Sequence, residues 1–211
     1  MSRCLIDHII VTAPSLDRGA EFVREALGVT PQVGGEHPRM GTHNLLLRLG
    51  DSLFLEVIAP NPAAQAPARP RWFALDTLLP GAAPALSAWV VRTSDINGSA
   101  FASSEDLGEI EPMSRGNLSW FITIPADGSP ALSGVAPALI QWDTQAHIAG
   151  HLQEWGLSLA HLELFHPDKD RISRLLRSIG FEGPVSVSLP KKGCAAPLAA
   201  RINTPQGPRV L

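Results

Sequence analysis

Apolar and polar residues follow one order three times along the chain: a buried strand, a polar break, and an amphipathic helix that ends near a glycine. The three copies span residues 5–28, 86–108 and 159–180. Repetition at this scale indicates repeated structural units. Aligned without gaps, the copies place His8, Ala88 and His161 at one strand position. We expect the functional site to include this strand position, where two copies have a histidine and the second has an alanine.

The first copy predicts a strand followed by a helix. Ser15 precedes the helix as a typical N-cap residue, and Gly28 follows it as a typical C-terminal stop. The helix buries one face, because its apolar residues recur at steps of three and four. These are Leu16, Ala20, Val23 and Leu27. Further strands are predicted at 30–33, 44–49 and 52–58, the last two joined by the Gly50-Asp51 turn.

The other two copies follow the same order. The second predicts strands at 86–92, 118–124 and 138–142, and the third at 159–165, 185–189 and 198–203. Prolines crowd the segment before the second copy, which indicates a connection rather than a sheet. The expected organisation is a first module at 1–60, a linker at 61–84, a second module at 85–143 and a truncated third module at 157–211.

Composition narrows the class of protein. The chain has 211 residues, 45% of them hydrophobic, and a formal net charge of -3. It contains no basic block of the kind that binds nucleic acid, and no apolar run of the roughly 18 residues that a membrane-spanning helix needs. Cys4 and Cys194 lack metal-site or disulfide spacing. We expect a cytoplasmic protein, with neither nucleic acid nor membrane as a partner.

Each unit is too small to be stable alone, because a short sheet with one helix leaves an apolar face in water. The modules must therefore pair. Two such sheets placed side by side curve around a common cavity, and residues of the first and last strands of each module converge there.

Four segments resemble glyoxalase-like domains of the vicinal oxygen chelate superfamily. They are DHIIV at 7–11, GGEHPRMGTHN at 34–44, FLEVIAP at 54–60 and LIQWD at 139–143. The resemblance covers residues 5–143 and implies an α+β fold, in which paired βαβββ modules form a curved mixed sheet around a cavity. Residues 157–211 would add the partial third module. This superfamily includes isomerases, lyases, dioxygenases, epimerases and antibiotic-binding proteins, so the resemblance implies a fold more firmly than an activity.

The resemblance also implies a metal site on the first and last strands of each module. His8 and Glu56 fall at these positions in the first module and Gln141 in the second, whereas Ala88 supplies no ligand. Imidazole and carboxylate suit a divalent ion such as Zn, Ni, Mn or Fe. The alternatives are that His8 and Glu56 bond to each other across the sheet, or that they line a cavity without metal.

The segment 34–44 offers further chemistry, because its glycines let the backbone approach a ligand and its histidines titrate near neutral pH. His37 or His43 is a candidate general base, beside Glu56, and Asn44 is a candidate hydrogen-bonding group for the ligand. In the alternative interpretation, Thr42 and Asn44 only satisfy backbone groups of a loop.

The second module supplies the other candidate ligand-binding residues. Strict strand alternation turns Arg92 and Gln141 toward the cavity with Ala88, and turns Trp142 toward a helix. Trp89 is a candidate for the ligand site or for core packing. His147 lacks the glutamate of a zinc-protease motif and is expected on the linker surface, and His161 is expected to be structural.

Two functions from different classes remain open. One is an isomerase or lyase in which a divalent ion polarises a small oxygen-rich metabolite and stabilises an enolate-like intermediate. The other is a protein that binds a drug or metabolite in the same cavity without catalysis. The third module either packs on the outside of the first two or pairs with its counterpart in a homodimer.

Overall fold

The computed structural model describes residues 3–143, 147–190 and 196–211, so Cys194 lies outside the described residues. The first unit comprises β1 (Leu5–Thr12), α1 (Leu16–Leu27), β2 (Gln32–His37), β3 (Thr42–Arg48) and β4 (Phe54–Pro60). The second comprises β5 (Ala85–Arg92), α2 (Ile96–Ala102), β6 (Glu109–Arg115), β7 (Leu118–Ile124) and β8 (Ala138–Trp142). The third comprises β9 (Ser158–Phe165), α3 (Lys169–Ser178), β10 (Val185–Ser188), β11 (Leu198–Thr204) and β12 (Gly207–Val210).

The first two units share one mixed sheet. The described strands stand in the order β2-β3-β4-β1-β5-β8-β7-β6. At its centre β1 pairs parallel with β4 and antiparallel with β5, while β5 pairs parallel with β8. Each module thus contributes four adjacent strands, and the sheet curls so that one face surrounds a cavity. The predicted α+β fold with paired modules is confirmed.

Helix α1 begins and ends where the sequence predicts. The Ser15 side chain accepts a hydrogen bond from the Arg18 N–H at 3.4 Å. At the other end Gly28 adopts a left-handed conformation with φ of 77°, and its N–H donates to the Arg24 carbonyl. Val23 and Leu27 pack into the core on the outer face of the sheet, against residues such as Val57. The opposite face of the sheet is left to the cavity.

The third unit packs on the outside of the first two. Its strands form a separate sheet in the order β10-β9-β11-β12. Leu162 and Ile172 join the core that α1 shares with the large sheet. Phe181 packs edge-to-face on Trp89 with ring centroids 5.3 Å apart, and Arg171 binds Glu105 through two hydrogen bonds of 2.7 Å. This unit therefore buries its apolar face within its own chain.

Three features differ from the sequence predictions. Strand β6 was not predicted, because its charged residues and Pro112 are unusual in a strand. It lies at the edge of the sheet, where proline is tolerated. The tail at 207–211 forms β12. The segment 34–44 is mostly strand rather than loop: β2 runs to His37, a 3₁₀ turn spans Pro38–Met40, and β3 begins at Thr42.

Candidate functional site

The curled face of the sheet surrounds a cavity. Polar side chains line one part of it, and apolar or aromatic side chains line the rest. The polar residues are His8, His37, Asn44, Glu56 and Arg115. The rings are those of Phe54, Trp72, Phe73, Trp120 and Trp142. The first module supplies all of the polar groups except Arg115, so the site is chemically asymmetric.

A β-bulge in β1 shapes the polar part. The pairing with β5 shifts between Ile6 and His8, so Asp7 has no opposite residue. Neighbouring strand residues normally point to opposite faces, but a bulge lets two of them share one. Asp7 and His8 accordingly contact each other through their side chains on the cavity face. Ile6 and Ile9 pack together on the outer face.

Asp7 is completely buried and accepts three hydrogen bonds. Its Oδ1 lies 2.6 Å from His8 Nδ1, and its Oδ2 lies 3.0 Å from Trp142 Nε1 and 2.9 Å from His147 Nε2. Burial alone would raise the pKa of this carboxyl, but the hydrogen bonds from His147 and His8 hold it far below its usual range. Asp7 is therefore a fixed negative charge beneath the cavity.

His147 is part of this cluster, and the prediction that it lies on the linker surface is wrong. Its Nδ1 accepts a hydrogen bond from the Ala149 N–H at 3.1 Å, so Nε2 carries the proton that Asp7 accepts. Its ring also lies 5.8 Å from that of Phe54, measured between centroids. Sequence spacing gave no signal for this contact, because 140 positions separate the two partners.

His8 stands between two carboxylates. Its Nδ1 faces Asp7, and its Nε2 lies 3.5 Å from Glu56 Oε2. The ring stacks on Phe54 with centroids 4.5 Å apart. Burial by itself lowers the pKa of His8, but the hydrogen bonds to Asp7 and Glu56 outweigh it and raise the value to about 9. At neutral pH, His8 is an imidazolium with one N–H directed at Glu56.

Glu56 is buried on β4 and is held by Asn44 of the adjacent strand β3. Asn44 Nδ2 donates to Glu56 Oε1 at 2.5 Å, while Asn44 Oδ1 accepts from Gly35 N–H at 2.8 Å and from Arg115 Nη1 at 3.2 Å. Burial by itself raises the pKa of Glu56, but the hydrogen bond and charge of His8 hold it at about 2. The sequence interpretation that Asn44 serves only the backbone is thus too narrow.

The two glycines before Glu36 make room for these side chains. A Cβ on Gly34 would lie 2.2 Å from Asn44 Oδ1, and one on Gly35 would lie 2.8 Å from Arg115 Cδ. Real Cβ atoms do not approach other heavy atoms so closely. The glycines therefore allow Asn44 and Arg115 to meet over β2.

His37 is buried at the end of β2, facing the cavity. Its Nε2 lies 3.5 Å from Arg115 Nη1, and its Nδ1 lies 3.1 Å from Thr42 Oγ1. Because a guanidinium can only donate, Nε2 is the accepting nitrogen and Nδ1 carries the proton. Burial lowers the pKa of His37 to about 4, against the opposing effect of Glu56. At neutral pH this ring is neutral, with a lone pair beside Arg115.

Four other predicted site residues lie elsewhere. His43 shares the outer face of β3 with Leu45 and Leu47. Trp89 is fully buried in the outer core, where its Nε1 donates to the Val135 carbonyl at 2.9 Å. Arg92 donates to the backbone carbonyls of Ile6 and Ser52 at the end of the sheet.

Gln141 is the fourth, and the prediction that it faces the cavity is wrong. Its Oε1 accepts a hydrogen bond from the Ile96 N–H at 2.8 Å, at the start of α2. The predicted alternation of β8 is inverted, so Ile140 and Trp142 line the cavity instead. A helix start has unpaired N–H groups that attract such an acceptor, and the cavity wall of this module is apolar.

The residues present do not fit a protein-held metal centre. Gln141 points away from the cavity, and Ala88 has no donor atom. Within residues 3–143, 147–190 and 196–211, no group of three or more His, Cys, Asp or Glu side chains is arranged to hold a metal ion. His8 Nε2 and Glu56 remain as a pair of donors, fewer than the three ligands predicted.

Sequence reasoning missed Asp7 and Arg115. Asp7 immediately precedes His8, but regular alternation assigns it to the opposite face, and a bulge leaves no clear mark in one sequence. Arg115 ends a strand that was not predicted. The signal in the sequence is the pair Gly34-Gly35, which precedes Asn44 by a few residues. Two glycines in a strand leave room for another side chain to pass over the backbone, as Arg115 does here.

Comparison with known proteins places the chain in a family. A family model described as a glyoxalase-like domain matches residues 6–180. A search of curated proteins finds no match. A solved structure of a hypothetical protein from Staphylococcus aureus shares the fold with a TM-score of 0.61 and 15% identity, covering 89% of this chain and 86% of that one.

Methylmalonyl-CoA epimerases are also among the structural matches. A variant from Streptomyces coelicolor in complex with 2-nitronate-propionyl-CoA is 18% identical with a TM-score of 0.44, over 66% of this chain and 97% of that one. The enzyme from Mycobacterium tuberculosis is 16% identical with a TM-score of 0.41, over 65% and 85%. Together, the family match over most of its length and the paired-module fold show that this chain belongs to the glyoxalase-like domain family of the vicinal oxygen chelate superfamily.

Proposed function

We propose that the cavity binds a small anionic, oxygen-rich molecule and moves a proton on it, in an isomerase or lyase reaction. One observation carries this proposal: Asp7, His8 and Glu56 form a buried row of charges that opens on a cavity. Burying charges is costly, and replacing them with apolar side chains often stabilises a fold. Strongly shifted pKa values beside a cavity are typical of functional sites.

Arg115 supports the choice of an anionic ligand. Its guanidinium lies beside His37 and Asn44 at the edge of the cavity, and its partners there are neutral. A guanidinium pairs with both oxygens of a carboxylate in a flat, two-point contact. The rings of Trp72, Trp120 and Trp142 offer apolar surface for the rest of the molecule.

Glu56 and His8 support proton transfer. We assign Glu56 Oε2 the role of base, which takes a proton from a carbon next to a carbonyl group once His8 Nε2–H, whose hydrogen bond lowers the pKa of Glu56, has turned to the ligand. The negative charge then moves to the carbonyl oxygen, where His8 Nε2–H stabilises it by a hydrogen bond. Returning the proton to another position or face completes an isomerisation, and loss of a neighbouring group completes a lyase reaction.

Asp7 and His37 have supporting roles in this proposal. Asp7 holds the His8 ring in place and keeps it protonated, so the donor is ready before the ligand arrives. His37 offers an acceptor lone pair to a ligand hydroxyl once Arg115 turns toward the ligand anion. His43 drops out as a base because it lies on the other face of the sheet.

The divalent ion of the sequence prediction has no step here, since the residues present do not supply its ligands. Metal analysis of protein purified without chelator tests this point. We expect less than about a tenth of an equivalent of Zn, Ni, Mn or Fe, and no rise in melting temperature on adding these ions. Stoichiometric metal that is lost in His8→Ala would restore the metal-assisted mechanism.

Deuterium exchange tests the proposed reaction. Small 2-oxo and 2-hydroxy acids are incubated with the protein in D₂O, and loss of the proton signal next to the carboxylate or carbonyl is followed by NMR. We expect exchange that Glu56→Gln abolishes. His161→Asn is the matched control, because His161 lies in the other sheet and bonds Ser186. Acids that bind without any exchange would overturn the catalytic role.

That outcome would support the second candidate, a protein that binds a small molecule without catalysis. The aromatic lining favours it, since rings hold a ligand by burial alone. Arg115 would then be needed for binding, whereas Glu56→Gln would leave affinity within about twofold because Asn44 can still bond the amide.

Homodimer formation and a cytoplasmic location stay predictions. None of the helices formed by the described residues has the length and hydropathy of a membrane-spanning segment. Light scattering at several concentrations tests the oligomeric state, and twice the 22.5 kDa chain mass would support the dimer.

A further inference from the structure

A second cavity lies next to the first, and its lining also reaches Trp89 of the outer core. It is lined by apolar groups that include Ala88, Leu107, Ile124, Ala131 and Ala138. Among the described side chains that line it, Thr123 carries the one hydroxyl, which already accepts the Leu139 N–H at 2.9 Å. A charged group placed here would lose its water without gaining a partner. The chemistry of this cavity therefore suits hydrocarbon.

Two aromatic residues separate the cavities. Trp72 and Phe73 line both of them. Trp72 is held at its indole N–H, which donates to Thr42 Oγ1 at 3.3 Å. Phe73 has a φ of 57°, a left-handed conformation that is strained for a bulky residue. The next residue, Ala74, has a φ of 55° and donates to the Gly128 carbonyl at 2.9 Å.

A second segment beside this cavity carries the same kind of strain. Leu132 and Ser133, next to the lining residue Ala131, have φ of 50° and 56°. In the described chain, these two residues with Phe73 and Ala74 are all of the non-glycine residues at positive φ. Such strain persists only where surrounding structure enforces it, and it gathers at ligand sites and moving segments. Here it gathers at or next to two lining residues of one apolar cavity, Phe73 and Ala131.

We propose that the second cavity receives the apolar tail of the ligand whose anionic group binds Arg115 in the first. The inference rests on the proposed function and narrows it to acids that carry an aliphatic or aryl tail. Trp72 and Phe73, which belong to both walls, would shift to let the tail pass. Burial of the tail in a dry, apolar space would supply most of the affinity, and the contact with Arg115 would fix the orientation of the ligand.

A series of straight-chain carboxylates, from acetate to octanoate, tests the inference by calorimetry. We expect affinity to rise roughly fourfold for each methylene group that enters the second cavity. Ala88 on β5 lines the second cavity but not the first, so Ala88→Leu should fill the second cavity alone. We expect this variant to lose the rise of affinity with chain length and to bind the shortest acids as tightly as the wild-type protein does. Ala88→Ser is the matched control, because it changes the side chain with little change of volume.

The results distinguish this inference from the proposed function. Short acids that bind only when Arg115 is present, with no gain from longer tails, would overturn the tail site and leave the proposed function standing. A gain that persists in Ala88→Leu would also overturn it, because the tail would then lie elsewhere. Failure of every acid to bind would overturn both. If Ala88→Leu does not fold, Ala138→Leu fills the cavity from a half-buried position and serves the same comparison.

Discussion

Asp7 Oδ1 lies 2.6 Å from His8 Nδ1, although the two residues are neighbours in one strand. The bulge at Asp7 makes this contact possible. It places a buried carboxylate behind the imidazole and leaves the other ring nitrogen directed at Glu56 and the cavity. An aspartate that bonds one histidine nitrogen fixes the tautomer and orientation of the ring and favours its protonated form.

The first prediction concerns Asp7→Asn. Removing the charge should lower the pKa of His8 from about 9, because burial, which lowers the pKa, is then opposed by Glu56 alone. The histidine ring protons report this shift in an NMR titration. Losing one charge of a buried pair should also destabilise the protein by about 3–5 kcal/mol.

Asp168→Asn is the control for that substitution. Asp168 caps α3 by accepting the Arg171 N–H at 2.9 Å, and asparagine caps helices about equally well. We expect little change in stability and none in the His8 titration. A His8 pKa that stays near 9 in Asp7→Asn would show that Glu56 alone sustains the charge.

The second prediction concerns stability against pH. The folded pKa of His8 lies above its unfolded value of 6.5, so its contribution is complete below pH 6.5 and is lost as pH rises through about 9. The loss amounts to about 3 kcal/mol. The pKa values of Glu56 and Asp7 are lowered, so their contributions to folding stability are complete above pH 4.5. The pKa of His37 is lowered as well, so its contribution to stability is complete above pH 6.5. The other groups facing His8 therefore do not change in this window.

Denaturant unfolding at pH 6.5 and at pH 9 measures this loss. We expect the wild-type protein to lose stability between the two values and His8→Gln to show a much flatter profile. His161→Gln, in the other sheet, should keep the wild-type slope. A wild-type profile that is flat over this range would contradict a charged His8.

The third prediction concerns the glycines of β2. Gly34→Ala should displace Asn44 and free the Glu56 carboxylate, which costs about 1–3 kcal/mol because a buried acceptor loses its partner. Gly81→Ala is the matched control, since a Cβ there meets nothing within 4 Å. Thermal melting compares the two. Equal stability of both variants would mean that Asn44 moves aside without loss.

The fold was predictable because it follows from regular periodicity. Helix α1 has a cap, a glycine stop and one apolar face, and each of these is visible in the sequence. His8 and Glu56 could also be assigned to the cavity from their strand positions and the family resemblance. The structure brings them together with Asn44 and His37, all within the first module.

The errors have local physical causes. The bulge in β1 turns the Asp7 side chain to the face of the sheet opposite to the one that regular alternation predicts, and nothing in the sequence indicates a bulge there. The facing of Gln141 was assigned from its position on the last strand of the second module, where the family resemblance implies a metal ligand. The helix start at Ile96 attracts it instead, since an unpaired N–H needs an acceptor more than an apolar cavity wall does.

The last prediction tests that explanation with Gln141→Ala. If Gln141 serves α2, the substitution leaves the Ile96 N–H without an acceptor and costs about 1 kcal/mol, as the loss of a helix cap does. Calorimetry with small carboxylates should show unchanged binding, because no atom of Gln141 lines the cavity. Gln65→Ala, at an exposed position in the proline-rich connection, is the control and should be neutral. Loss of carboxylate binding in Gln141→Ala with stability unchanged would reverse the assignment and return Gln141 to the ligand site.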